Sequence, residues 1–513
     1  MPVSPHYAPA PRYASLGDGF SDPVSAARFP ARIQRFRNQR WAERVGLGDL
    51  DDAEWSRHFA TFEPLPDNLP EPLAMRYHGH QFAVYNPHLG DGRGFLFAQL
   101  LDRDDRRLLD LATKGSGTTP WSRGGDGRLT LKGGVREVLA TEMLEALGVS
   151  TSKTFSLFET GERLSRGDEP SPTRSSVLVR LGHSHMRFGS FQRFAALRDP
   201  ARLRTLFDFA VDNYAPEARS AGARTTSDGD STTTTPDPVV RFLHVVAERS
   251  ARLAASWMVA GFCHGVLNTD NVNITGESFD YGPYRFVPTY DPDFVAAYFD
   301  ETGLYAFGKQ PRVVLWNVTR LADALRALAP SAPLGEAVRA FEPAFFEALA
   351  ERTLHRLGLA SAGHDLDATL TDTVIDFLEG SRVPLDRFYF DWFGGLASEP
   401  RAMTSPLASE YKNDRAAPLR KALEPFAPAR PDALSHPYFR RESPVTLLID
   451  EIETIWSAIA DRDDWSLFEA KIEAIRELGA ALEGASGKDP ASAPGAPPPS
   501  PLTAPPAHAE TAR

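Results

Sequence analysis

The sequence of 513 residues contains a single cysteine, Cys263. One thiol excludes an intrachain disulfide and any cysteine-rich zinc site, and in the setting GFCHG it reads as a small buried apolar side chain. No run of 18 or more apolar residues occurs, and the opening MPVSPHYAPAPRYASLGDGF lacks the apolar centre of a secretion signal. Neither a membrane span nor export is expected, and a cytoplasmic location is the default. Long basic runs are missing too: 56 Lys and Arg face 68 Asp and Glu, a formal net charge of -12. That balance argues against a nucleic-acid binder, whose affinity comes from neutralising phosphates. An acidic enzyme can still gather a few arginines in one pocket. A monomer is the default state.

The length allows about two to four domains of roughly 150 residues each. Two stretches fall outside any core by composition: Pro216 to Asp237, which contains SDGDSTTTTPDP, and the Pro/Ala/Ser-rich tail from Gly484 to Arg513. Neither can bury enough surface to fold, so both are expected to be disordered. The first ~25 residues, rich in Pro and turn formers, read as an extended arm. From Phe62 to Phe194 short apolar runs alternate with turn signals. GFLFAQLLD and RRLLDLATKG read as two strands joined at Asp104-Asp105, a hairpin suited to a five-stranded small lobe. Val135, Val138, Leu139, Met143, Leu144 and Leu147 then repeat at helical spacing, closed by Gly148. TFSLFETGERL and SSVLVRLG read as further strands, and FLHVVAERSARLAASWMVAGFCHG as a long helix. Helical patterns dominate from Pro333 to Gly479. Strands early and helices late predict an α+β fold.

The candidate chemistry begins after the long helix, in HGVLNTDN. His264 and Asn271 keep the spacing of a kinase catalytic loop, H-x-D-x-x-x-x-N, but Val266 occupies the position of the base aspartate. Valine can neither accept a proton nor bind a metal. Nine residues past Asn271, Asp280 opens Asp-Tyr-Gly, like the kinase Asp-Phe-Gly whose aspartate binds magnesium. Asn271 and Asp280 thus offer two oxygen ligands to Mg2+ or Mn2+, with water and phosphate supplying the rest. Upstream, Gly90, Gly92 and Arg93 in LGDGRG form a glycine-rich turn, Lys114 ends a strand 24 residues after Gly90, and Glu137 follows 23 residues later on a helix. Each alone is weak, since a strand-end lysine is ordinarily a solvated charge. Their order reproduces the glycine loop, phosphate lysine and helix glutamate of a kinase small lobe. Asp126 and Gly127 in GGDGR are a second candidate nucleotide turn, and equally a loop leading into the helix. Arg180 and Arg187 suit bidentate phosphate binding. Asp270, directly before Asn271, is a candidate proton acceptor, or else caps the turn.

These residues predict a protein-kinase-like two-lobed fold with a helical C-terminal extension. Its segments are 1–60, an arm leading into helices; 61–195, the small lobe; 196–332, the large lobe carrying the insertion; 333–483, the extension; and 484–513, the tail. Three classes of activity remain open: nucleotidyl transfer, phosphotransfer to a small molecule, and nucleotide binding without catalysis. Val266 counts against the second, and the joint presence of Lys114, Glu137, Asn271 and Asp280 against the third.

The chain resembles the selenoprotein O family (SelO, YdiU) of pseudokinase protein adenylyltransferases. The stretches that carry the resemblance are YHGHQFAVYNPHLGDGRG, KGSGTTPWSRGGDGRLTLKGGVRE, VLVRLGHSHMRFGSF, GFCHGVLNTDNVNITGESFDYGP and YDPDF, roughly Arg76 to Pro311. Beyond Pro311 the sequence departs from the family's pattern, and the tail lacks the redox-active cysteine or selenocysteine of some members. The resemblance implies ATP bound in reverse, so that AMP passes to Ser, Thr or Tyr hydroxyls of protein partners, with UMP transfer from UTP and manganese as a variant. It implies nucleotide contacts at Gly90, Gly92, Arg93, Lys114, Asp126, Gly127, Arg180, Arg187 and Asp280, and metal ligands at Asn271 and Asp280. Asp270 would accept the proton, and Glu137 would pair with Lys114.

Overall fold

A computed structural model describes residues 4–167, 169–219 and 237–483. The predicted tail and residues 220–236 of the predicted insertion lie outside them. The ends of the expected disordered stretch are ordered: Pro216–Ala218 forms a 3-10 turn with Ala218 buried, and the Asp237 side chain caps the next helix through Val239 N at 2.7 Å.

The fold is α+β. Its main sheet has eight strands instead of the expected five: β1 (Ser21–Pro23), β2 (Ile33–Arg37), β3 (Leu73–Met75), β4 (Leu96–Leu101), β5 (Leu108–Lys114), β6 (Leu129–Thr130), β7 (Lys153–Leu164) and β8 (Thr173–Gly182). The order is β1-β3-β4-β5-β8-β7-β2, with β6 also on β8, and these strands pair antiparallel. Two of the extra strands, β1 and β2, come from the N-terminal segment. What reads as an extended arm supplies β1, and it buries Tyr13, Leu16 and Phe20 in the main core.

Both faces of the sheet are covered, which is why β4 and β5 are buried almost throughout, polar residues included. On one face Val177, Val179 and Leu181 of β8 pack with Trp41, Trp55 and Phe59 from the N-terminal helices. On the other, Leu178 and Leu157 meet the helix α1 (Leu131–Ala146). Because side chains alternate along a strand, this partition fixes the direction of the polar residues. Lys114 lies opposite Leu178, and Arg180 opposite Ala112, so both rise from the α1 face.

Helix α1 begins where Thr130 accepts a bond from Gly133 N at 3.1 Å, and it gives way to Gly148 in the left-handed region, as its sequence predicts. Gly134, costly for a helix by propensity, has a packing reason. A Cβ there would lie 2.5 Å from Leu157 and 2.8 Å from Ser176, so glycine permits α1 to approach the sheet. Beyond the sheet, α2 (Pro238–Ala260) runs through the core and stops at left-handed Gly261, directly before the candidate loop. The chain returns at its end: α3 (Ser466–Glu483) packs on α1, and Arg476 binds buried Glu142 at 2.7 and 3.0 Å. One core therefore includes residues from Tyr13 to Leu482. None of the described helices is long and apolar enough to cross a membrane.

Candidate active site

The site forms where the α1 face of the sheet meets the loop after α2. Lys114 is 4% exposed, and its Nζ bonds Glu137 of α1 and, at 2.7 Å, Asp280 Oδ1. Arg180 Nη1 reaches the same oxygen at 3.4 Å, and Asn271 Nδ2 donates to Asp280 Oδ2 at 3.1 Å. Three residues, from β5, β8 and the loop after α2, thus converge on one carboxylate. Burial alone would raise the Asp280 pKa, but the charges of Lys114 and Arg180 outweigh it and hold the group well below the usual carboxylate range. Asp280 also has a left-handed backbone, φ 65°, a conformation uncommon for a residue with a side chain. The neighbouring Tyr281 anchors it, fully buried with its hydroxyl bonded to Thr151.

The loop HGVLNTDN is fixed from several sides. His264 Nε2 faces the carbonyl of Phe279 at 3.0 Å, Asn317 Nδ2 donates to Leu267 O at 2.9 Å, and Asn271 N closes a turn on Asn268 O at 3.0 Å. Val266 packs against the main core, as its side chain requires. Asp270 differs: its Oδ1 is buried without a hydrogen-bond partner, and so is Oδ1 of Asn271. Orphan acceptors of this kind are costly unless water, an ion or a ligand meets them. Burial raises the Asp270 carboxyl to about 6, against the pull of Arg187.

The remaining predicted residues divide. Arg187 is buried and binds Asp91 at 2.8 Å, a partner inside LGDGRG that sequence reasoning passed over. Arg93 acts on Asp280 through its charge and accepts from Gly115 N at its carbonyl, 2.7 Å. Gly90 lies under an aromatic roof: a Cβ there would meet the Trp121 ring at 2.3 Å, and Ser122 Oγ donates to Gly92 O. Gly127 O accepts from Gly117 N at 3.1 Å, which ties the second glycine turn to the segment after Lys114. Asp126 is not part of the cluster's bonded network and pairs with Arg166 at 2.8 and 3.0 Å. Sequence reasoning also missed a short hairpin, Gly79–Gln81 with Val84–Asn86, that lies on the loop. His80 N donates to Thr269 Oγ1 at 2.7 Å, and Thr269 N to His80 O at 3.2 Å.

The donors fit a divalent cation of the hard kind. Asn271 presents an unpartnered oxygen beside the Asp280 carboxylate, while no group of three or more His, Cys, Asp or Glu residues among the described residues could hold a metal alone. Such a site would take its other ligands from water and phosphate, as magnesium does.

Comparison with known proteins decides the family. The model of the family described as "Protein adenylyltransferase SelO" matches residues 5–476. The chain belongs to the SelO family. A "Protein nucleotidyltransferase YdiU" from a Synechocystis species is 42% identical over 485 residues, covering 91% of this chain and 97% of the relative. A protein of the same name from Gloeobacter violaceus is 41% identical, covering 91% and 94%. One from Azotobacter vinelandii is 38% identical over 74% of each chain. The SelO match extends far past Pro311, so the expected departure of the C-terminal part is wrong. The match covers the helices after Pro311 up to residue 476, within α3.

Proposed function

We propose that this SelO chain transfers AMP from ATP to Ser, Thr or Tyr hydroxyls of proteins and releases pyrophosphate. Its scaffold is kinase-like and two-lobed, with residues 61–195 as the small lobe, 196–332 as the large lobe and 333–483 as the extension. The observation that carries the reading is an exchange within one loop. Val266, at the position of a kinase base, is half-buried against the core, while Asp270 keeps a buried, unpartnered oxygen next to Asn271. The proton acceptor has moved by four residues, and the acceptor hydroxyl with it.

The chain's residues then take these roles. Lys114, positioned by Glu137, and Arg180 bind phosphate oxygens, with Asp280 releasing part of its hold on both as the nucleotide arrives. Arg187 and Arg93 add positive charge around the β- and γ-phosphates, which point inward in a reversed nucleotide. The loops of Gly90, Gly92, Asp126 and Gly127 flank the nucleotide. The acceptor oxygen attacks the α-phosphorus, the bond from that phosphorus to the bridging oxygen breaks, and pyrophosphate leaves with the electron pair. The hydroxyl proton passes to the Asp270 carboxylate, whose elevated pKa suits a base working near neutral pH. Mg2+ or Mn2+ on Asn271 and Asp280, when bound with the nucleotide, neutralises phosphate charge in the transition state. The broader name of the relatives leaves room for UTP as donor.

The test separates binding from transfer. Asp280→Ala is expected to lose both metal-dependent ATP binding, read by calorimetry, and labelling of protein from ATP carrying 32P at the α-phosphate. Asp270→Ala is expected to keep binding within a few-fold and lose labelling by roughly 10²–10⁴-fold. Transfer by Asp270→Ala at the parental rate would remove Asp270 as the proton acceptor.

A further inference from the structure

Nine large apolar side chains are exposed among the described residues, and four of them belong to two segments at the candidate loop: Phe82 at 40%, Val84 at 70%, Tyr298 at 81% and Phe299 at 45%. Phe82 and Phe299 have ring centroids 6.1 Å apart, and Phe299 and Tyr298 5.2 Å. The patch is bonded to the catalytic loop. Phe82 N donates to Asn268 Oδ1 at 3.1 Å, and Tyr305, whose ring lies 5.1 Å from Phe82, donates its hydroxyl to the same oxygen at 2.6 Å. Asn268 is two residues from Asp270.

The hairpin tip is held against its own preference. Phe82 and Ala83 are the two loop residues between Gln81 and Val84, both with positive φ, 49° and 62°. Such two-residue loops favour Asn-Gly, because a bulky side chain is strained there. The strain does not serve burial, since the Phe82 ring stays exposed. A strained, exposed aromatic beside a reacting centre points to a contact made outside the chain.

We propose that Phe82, Val84, Tyr298 and Phe299 dock the acceptor polypeptide by an apolar side chain located about three residues from the modified hydroxyl. The inference rests on the transfer reading above. The spacing follows from the geometry: Phe82 is one hydrogen bond and two residues from Asp270, and an extended chain spans roughly 10 Å in three residues. Exposed Glu301, two residues past Phe299, places a negative charge at the rim and favours a basic residue next to the apolar one.

The test uses synthetic peptides with one serine and Leu, Gln or Glu three positions away on either side, labelled from α-32P ATP with magnesium. The parental protein is expected to prefer the Leu peptides by roughly ten-fold in kcat/KM over Glu, the value of burying one aliphatic side chain in part. The double variant Tyr298→Ser, Phe299→Ser is expected to label all peptides alike, with its calorimetric ATP affinity unchanged. Phe82→Asn suits the turn, so it is expected to melt no lower than the parent while losing the same preference. Equal labelling of the three peptides by the parent, or a preference surviving in the double variant, would overturn the docking role and leave the transfer reading intact. A parental dimer that the double variant converts to monomer without changing peptide preference would assign the patch to a second copy of the chain. Failure to label any peptide, or unfolded casein, would overturn the transfer reading and the docking role together.

Discussion

Replacing Lys114 with Met strands a carboxylate. Lys114 and Glu137 are 4% and 2% exposed, so in Lys114→Met the Glu137 carboxylate stays buried without its cation, whereas Asp280 retains Arg180 at 3.4 Å. Breaking a buried pair from one side costs about 3–5 kcal/mol, while exchanging both partners for apolar groups is close to neutral. In a chain of this size, with about 2.1 cal/mol/K of unfolding entropy per residue, that is a shift of only about 3–5 °C in Tm. Urea unfolding is therefore the better assay. Lys114→Met should lose about 3–5 kcal/mol, and the double variant Lys114→Met, Glu137→Leu should regain about 2 kcal/mol or more of it. Activity should not follow stability. Both variants lose the phosphate contact proposed for Lys114, so α-phosphate transfer should fall by about 10²–10³-fold in each. Strictly additive stability losses would refute the buried pair, and recovery of transfer in the double variant would refute Lys114 as a phosphate ligand.

Chelation offers a second check. With magnesium, ATP at about 100 times its Kd should stabilise the protein by about 2.7 kcal/mol, and EDTA should abolish that increment; an increment that persists in EDTA would argue against Asn271 and Asp280 as metal ligands. Acid should loosen the attachment of the C-terminal helices to the sheet. Asp463 is held down to about 2 by its hydrogen bond from Arg174, and Glu159 lies below its ordinary value because Arg174 and Arg35 outweigh its burial. Carboxylates with lowered folded pKa stabilise fully above about pH 4 and lose that contribution as pH falls toward 2. Unfolding midpoints should drop over that range, and less steeply in Asp463→Asn; an unchanged profile in the variant would contradict the network.

Much of the candidate site's arrangement is legible in the sequence because its parts keep local spacing. Gly90 lies just before the hairpin β4–β5 that Lys114 ends, Lys114 and Glu137 are joined by the strand-to-α1 connection, and Asn271 and Asp280 share the loop after α2. What the sequence conceals is long-range. β2 pairs with β7 across more than a hundred residues, and β1 is only three residues long, so neither strand shows in a local pattern. The same holds for Arg187 binding Asp91, and for Trp121 covering Gly90. Glu137 illustrates the limit of periodicity. It reads as lying on the flank of an apolar stripe, yet it is buried, because α1 faces both the sheet and the returning α3. Gly134 looks like a flaw in a helix until the distance to Leu157 is known.

In the proposed reaction the α-phosphorus is attacked, with Asp270 in place of the aspartate whose position Val266 occupies. The most direct measurement incubates the purified chain with magnesium or manganese, an acceptor protein, and ATP labelled in parallel reactions at the α- or the γ-phosphate. Label in protein from the α-phosphate alone is the expected result. Label from the γ-phosphate alone would contradict the account and make this site, despite Val266, a phosphotransferase.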